Sequence, residues 1–215
     1  MSSATGALLI ALAYLALFGS AEVLRARWQV KAEATRKYVH MASGVIAAGI
    51  PLWVGWPMTV AIGVTFAAAL AWSKRHRVFQ AIHGVDRATV GEVCFPLGVA
   101  AAALLVPQMP EYAFGMLVLA FADGSAGIVG ARYGRPRAVL GSTKSLMGSV
   151  ACFTVVVVLA LGFCLAGPGL STATVAAVLV SALAVTLVEA LLGYGLDNLA
   201  VPVVAALLCG WFLSV

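Results

Sequence analysis

The chain has 215 residues, of which 63 % are hydrophobic and 10 % charged, with a formal net charge of +5. No soluble domain of this length needs so much apolar surface, so a water-soluble protein is excluded and a membrane-embedded one expected. The positive balance fits topology rather than nucleic-acid binding, because the basic residues flank apolar runs and no polar domain exists to carry a nucleic-acid site.

In chain order, apolar runs cover residues 5–21, 38–54, 57–72, 93–106, 112–131, 146–166, 172–188 and 199–213. Several approach the length that crosses a bilayer core, and the shorter ones can span with polar flanks. The expectation is an all-α, polytopic integral membrane helical bundle of seven or eight transmembrane helices, forming a single domain over residues 1–215. A closed barrel would instead need short alternating strands. The first run has no basic residue before it and outlasts a signal-peptide core, so it is expected to remain as a membrane helix. The run at 93–106 is the weakest span.

With eight spans, the connections at 25–37, 73–90, 132–144 and 193–197 fall on one side, and the first three hold all 13 Lys and Arg residues. The positive-inside rule makes that side cytoplasmic and puts both termini outside. A bacterial-type inner or plasma membrane is the expected location.

The rare polar residues gather toward that side. Arg36, Lys37 and His40 share a helical face at the mouth of the second span. Such a basic group commonly serves only as a topology anchor, but an imidazole one turn inside an apolar run asks for a further reason. Glu92 opens the fourth span in GEVCFPLG. In the fifth, Asp123 stands near the middle of an otherwise uncharged stretch, at an insertion cost of about 2.5–3.5 kcal/mol. Gly124 follows it, and steps of four, three and four residues lead from Asp123 to Gly127, Gly130 and Gly134, along one helical face. Glycines there admit either a neighbouring helix or the phosphates of a ligand.

Lys144 and Ser145 precede the sixth span, and Glu189 lies inside the cytoplasmic end of the seventh. Asp197 and Asn198 follow the short link GYGL; either could cap the last helix, with Pro202 tolerated near its first turn. Cys94, Cys152, Cys164 and Cys209 lack ligand-like spacing and read as small buried hydrophobes. His76 and His83 have no evident third ligand, so zinc is not expected, although their stretch could lie along the interface as a helix.

Carboxylates with open oxygens suit Mg²⁺, which takes a few protein ligands together with phosphate oxygens and water. Cations suit the remaining phosphate charge, and a closely approachable backbone suits the phosphate chain. These are the parts of phosphoryl or nucleotidyl transfer, where catalysis is largely positioning and charge neutralisation. The chain contains no G-x-x-x-x-G-K-[ST], which sets aside a P-loop enzyme.

Five blocks occur in order: RKYVHMASG, GEVCFPLG, DGSAGIVGARYG, KSLMGS and VEALLGYGLDNLAVP. Together, over about residues 36–202, they resemble the CTP-dependent lipid kinases of the dolichol kinase, phytol kinase and yeast-type diacylglycerol kinase group. The resemblance implies transfer of the γ-phosphate of CTP to a membrane lipid alcohol with a divalent metal. By position it carries the family's basic pair to Arg36 and Lys37, its aspartate to Asp123 and its glycine motif to Gly127, Gly130 and Gly134. The later lysine falls on Lys144, and the terminal acids and amide on Glu189, Asp197 and Asn198. Met147 departs from members that carry glutamate before the Gly-Ser, leaving Glu92, Glu189 and Asp197 to share that load.

The expected working arrangement follows. Asp123, with Asp197 or Glu189, holds Mg²⁺ on the phosphates of CTP, while Arg36, Lys37 and Lys144 neutralise charge. Gly124 to Gly134, Ser145 and Asn198 complete the nucleotide site, and a carboxylate or His40 takes the hydroxyl proton. An isoprenoid alcohol such as phytol or a polyprenol is the expected acceptor, with diacylglycerol as the alternative. A phosphatidate cytidylyltransferase-like activity would use the same groups, and a transporter would also place acids in the membrane.

Overall fold

In the computed structural model, which describes residues 2–76, 78, 89–135 and 144–215, the chain is a polytopic bundle of helices. The helices are α1 (Ser3–Trp28), α2 (Ala32–Val54), α3 (Trp56–Arg75), α4 (Gly91–Leu105), α5 (Met109–Tyr133), α6 (Leu146–Ala166), α7 (Thr172–Leu191) and α8 (Asp197–Leu213). Five of them, α1, α3, α5, α6 and α7, are long and apolar enough to cross a membrane. Helix α2 carries its charges in its first turns, and α4 and α8, with 15 and 17 residues, are shorter apolar helices. At about 1.5 Å per residue, α4 falls short of the hydrocarbon thickness. It is shielded over most of its length, because α3 and α8 pack against it, and only its end, at Leu104 and Leu105, is strongly exposed. Gly98 and Gly63 allow that approach: a Cβ on Gly98 would strike the Asn198 carbonyl, and one on Gly63 would lie 2.6 Å from the Pro96 carbonyl.

Antiparallel neighbours set the two ends of the bundle. Gly6 of α1 lies against Trp53 at the end of α2, and Gly167 after α6 lies against Leu213 at the end of α8, so both termini share the end away from Lys144. Rows of large apolar side chains, among them Leu8, Leu12 and Leu15 on α1 and Leu179, Leu183 and Leu187 on α7, remain exposed. In water that surface would drive aggregation, whereas in a bilayer it meets lipid tails.

Two apolar cores lie side by side. One joins α1 to α4 with Tyr112 and Met116, and the other joins α6, α7 and α8 with Phe114, Val118, Ala122 and Ala126. Helix α5 contributes to both, so it is the wall between them. The Tyr14 hydroxyl donates to the Ser43 carbonyl and the Tyr112 hydroxyl to the Ala47 carbonyl, both at 3.1 Å, which gives each buried phenol a partner on α2. Close backbone contact also ties α5 to α8, since a Cβ on Gly115 would strike the Pro202 carbonyl and reach Ala206 Cβ at 3.1 Å. Gly115→Ala is therefore expected to destabilise the bundle by about 1–3 kcal/mol, read as a lower midpoint in denaturation of the detergent-solubilised protein.

Two local features depart from the regular helices that the sequence leads one to expect. Leu119–Asp123 forms a single π turn within α5. At α8, Leu196 occupies the cap position without a side-chain cap, and neither Asp197 nor Asn198 serves there. Asp197 instead accepts the Asn198 amide on Oδ1 at 3.0 Å from within the first turn. Pro202 lies in the helix interior rather than near its first turn. Lacking an N–H, it cannot donate to the Asn198 carbonyl, and that carbonyl faces Gly98.

Cys94, Cys152, Cys164 and Cys209 are all buried and unpaired, as small hydrophobes would be. His76 stacks on Trp72 at 4.5 Å, whereas His83 and the stretch expected along the interface lie outside the described residues.

Candidate active site

At the end of the bundle where the basic helix ends gather, α2, α5, α6, α7 and the α7–α8 link enclose a cavity of about 470 Å³. All the residues assigned above to nucleotide, metal or proton transfer line it: Arg36, Lys37, His40, Asp123, Gly124, Gly127, Gly130, Gly134, Lys144, Ser145, Glu189, Asp197 and Asn198. Glu92 does not; it pairs with Lys74 across α3 and α4.

The centre of the cavity is an ion cluster. Lys144 Nζ lies 2.6 Å from Glu189 Oε1, 2.5 Å from Asp197 Oδ2 and 3.7 Å from Asp123 Oδ1. Burial opposes the ammonium charge, but Asp197, Asp123 and Glu189 outweigh it and hold Lys144 protonated above the usual lysine range. Glu189 and Asp197 are almost fully buried, which is tolerable for acids only when they are paired. Among the described residues, however, Glu189 Oε2 has no hydrogen-bond partner.

The π turn aims Asp123 at this cluster. A π turn offsets the local carbonyl ladder, and the Leu119 carbonyl accepts from His40 Nε2 at 2.9 Å. The same nitrogen lies 3.2 Å from Asp123 Oδ2, and the imidazole packs edge-on against Phe95 with centroids 5.3 Å apart. Both oxygens of Asp123 are thus oriented, one toward His40 and one toward Lys144.

The other cations take fixed partners. Arg36 forms a two-point pair with Glu33, Nη2 to Oε1 at 2.8 Å and Nε to Oε2 at 3.1 Å. Lys37 Nζ donates to the Gly127 carbonyl at 2.6 Å, tying α2 to the glycine face of α5. That face serves packing as well as lining. A Cβ on Gly124 would lie 2.9 Å from Met41 Cγ and one on Gly130 2.8 Å from Ser145 Oγ, whereas Gly127 meets only the Lys37 stem at 3.4 Å. Ser145 caps α6, accepting the Gly148 amide on Oγ at 3.1 Å. The Asn198 side chain donates one N–H to the Gly91 carbonyl at 2.9 Å, tying α8 to α4 at the cavity wall.

Three features escape the sequence reading. Glu33 lies three residues before Arg36, a helix pairing distance that could have flagged it. Thr89 lines the rim and hydrogen-bonds, with Val90, to the Tyr194 carbonyl. Tyr194 itself has φ +57°, with its ring exposed at the cavity. No local pattern announces a tyrosine in the left-handed region, although its flanking glycines mark a tight link.

A divalent cation fits the donor set. Asp123, Glu189 and Asp197 each offer a carboxylate oxygen, and these atoms lie within 4.8 Å of one another. All three are hard oxygen donors, and the unpartnered Glu189 Oε2 adds acceptor capacity that the single ammonium leaves unused.

Sequence comparison identifies the family. A phytol kinase of Synechocystis sp. is 32 % identical over 199 residues, covering 88 % of this chain and 83 % of the relative. The chain belongs to the phytol kinase family. It is a membrane-embedded lipid-alcohol kinase, and the acid and lysine cluster is the candidate active site of this phytol kinase relative. No protein-family model and no solved structure matches the chain.

Proposed function

We propose that the protein transfers the γ-phosphate of CTP to the hydroxyl of an isoprenoid alcohol, phytol or a polyprenol, at the cytoplasmic face of a bacterial-type inner membrane. The observation that carries this reading is the meeting of Asp123, Glu189, Asp197 and Lys144 beside the glycine face, in a chain related to a phytol kinase. The one-sided distribution of Lys and Arg supports the cytoplasmic orientation.

The triphosphate lies along the cavity side of Gly124 to Gly134, with the most room at Gly127, where only the flexible Lys37 side chain stands near. Arg36 and Lys37, at the mouth of α2, face its negative charge; Glu33 sets the guanidinium plane. Mg²⁺, held by Asp123, Glu189 and Asp197, would neutralise and orient the phosphate oxygens when bound. The alcohol presents its hydroxyl from the bilayer side, and its oxygen forms a bond to the γ-phosphorus as the β–γ bridge bond breaks and CDP leaves. A carboxylate of the cluster takes the hydroxyl proton, while His40 keeps Asp123 Oδ2 engaged and leaves Oδ1 facing the metal site. His40 is thus a positioning group rather than the base.

The test uses purified, detergent-solubilised protein with a panel of lipid alcohols and with CTP or ATP labelled at the terminal phosphate. Label from [γ-³²P]CTP is expected in an isoprenyl monophosphate, with diacylglycerol and ATP giving much less. Label reaching lipid from the α position instead would establish the cytidylyltransferase reaction and overturn the kinase assignment.

A further inference from the structure

Resting on the metal-bound triphosphate reading above, we propose that Lys144 stands in for the divalent cation before nucleotide arrives, and that the incoming metal–nucleotide complex moves its ammonium from the acids to the phosphates. Two observations carry this. Lys144 Nζ contacts Glu189 and Asp197 at 2.6 and 2.5 Å and lies 3.7 Å from Asp123, so it fills the space that a cation shared by the three would take. Glu189 Oε2, on a side chain only 2 % exposed, has no partner among the described residues, so the ammonium does not saturate the pocket. Because the three donor oxygens lie within 4.8 Å of one another, a metal touching all of them and the ammonium exclude each other.

The lysine also has somewhere to go. It precedes α6, outside the helical ladder, and the next residue, Ser145, is clasped by Gly130 and Gly134. Its four-carbon stem therefore pivots about a fixed point between the acids and the glycine face. A bare metal must compete with a tethered ammonium and gives it nothing in return. A metal–nucleotide complex offers phosphate oxygens in exchange, so metal and nucleotide load together.

The experiment measures Mn²⁺ binding to the detergent-solubilised, nucleotide-free protein by the spin-resonance signal of the free ion. Lys144→Met is expected to bind Mn²⁺ at least about tenfold tighter than the unaltered protein, because removing the ammonium leaves three uncompensated acids. In chelator the variant is expected to melt lower, and Mn²⁺ to restore it, whereas the unaltered protein barely responds. Should Lys144→Met not fold, Lys144→Gln, neutral but still a donor, gives the same comparison. Equal or weaker Mn²⁺ binding by the neutral variant, with binding abolished by Asp123→Asn, would overturn the exchange while leaving the proposed function standing. Mn²⁺ binding that survives Asp123→Asn in every background would remove the metal reading itself.

Discussion

Asp123→Asn is expected to lower kcat/KM for alcohol phosphorylation by about a thousandfold or more, close to 4 kcal/mol of lost transition-state stabilisation. The replacement is nearly isosteric, so the amide oxygen can still accept from His40, and the π turn that presents residue 123 is untouched. What disappears is one of three negative charges facing Lys144, and with it a hard oxygen donor for a cation. The fold loses little: the remaining acids keep their contacts to Lys144 at 2.5 and 2.6 Å, and one less buried carboxylate needs compensation. Helicity and denaturation midpoint in detergent should stay within about 1 kcal/mol of the starting protein. Wild-type-like turnover in a folded Asp123→Asn protein would sink the role assigned to this carboxylate.

Much of the bundle is legible in the sequence because apolar runs, Lys/Arg asymmetry and helix length are one-dimensional signals. The runs at 146–166 and 172–188 reappear as α6 and α7 almost to the residue, and α1 merely extends past its apolar run to Trp28. Even the short run at 93–106 is a helix, and its length is accommodated by burial against α3 and α8 rather than by lipid. The site is legible to the extent that isolated charges are costly in a membrane, which directs attention to Asp123, Glu189 and Asp197.

Pairings are a different matter, since spacing cannot say which partner on another helix a group will choose. Glu92 reads like the other acids yet is taken by Lys74, and the Asn198 amide, which lines the cavity, also ties α8 to α4 through the Gly91 carbonyl. His40 looks like a free base until the π turn brings the Leu119 carbonyl to its Nε2. The π turn leaves no composition signature in LAFAD, so its effect on Asp123 is visible only in three dimensions.

The glycine face carries the second large effect, because its spacing alone does not separate packing from ligand room. Gly134→Ala is expected to lower activity by about a hundredfold and stability by about 1–3 kcal/mol. Backbone strain is not the cause, as φ at Gly134 is −89°, which any residue adopts. Space is the cause: the new Cβ would collide with Oγ and Cβ of Ser145 and lie 2.6 Å from the Gly130 carbonyl. Ser145 cannot retreat without uncapping α6 and displacing the fixed point about which Lys144 reaches both the acids and the glycine face, so a packing change becomes a loss of chemistry. Gly130→Ala separates the two contributions, since its Cβ would meet only the Ser145 Oγ closely, at 2.8 Å. Ser145→Ala removes that oxygen at the cost of the cap, about 1 kcal/mol by itself. In the double variant the two losses should be less than additive, with a coupling of about 0.5–3 kcal/mol in denaturation and a matching recovery of turnover. Strict additivity would mean that Gly130 and Ser145 do not bear on each other, and that the glycine face does not hold Lys144 in place.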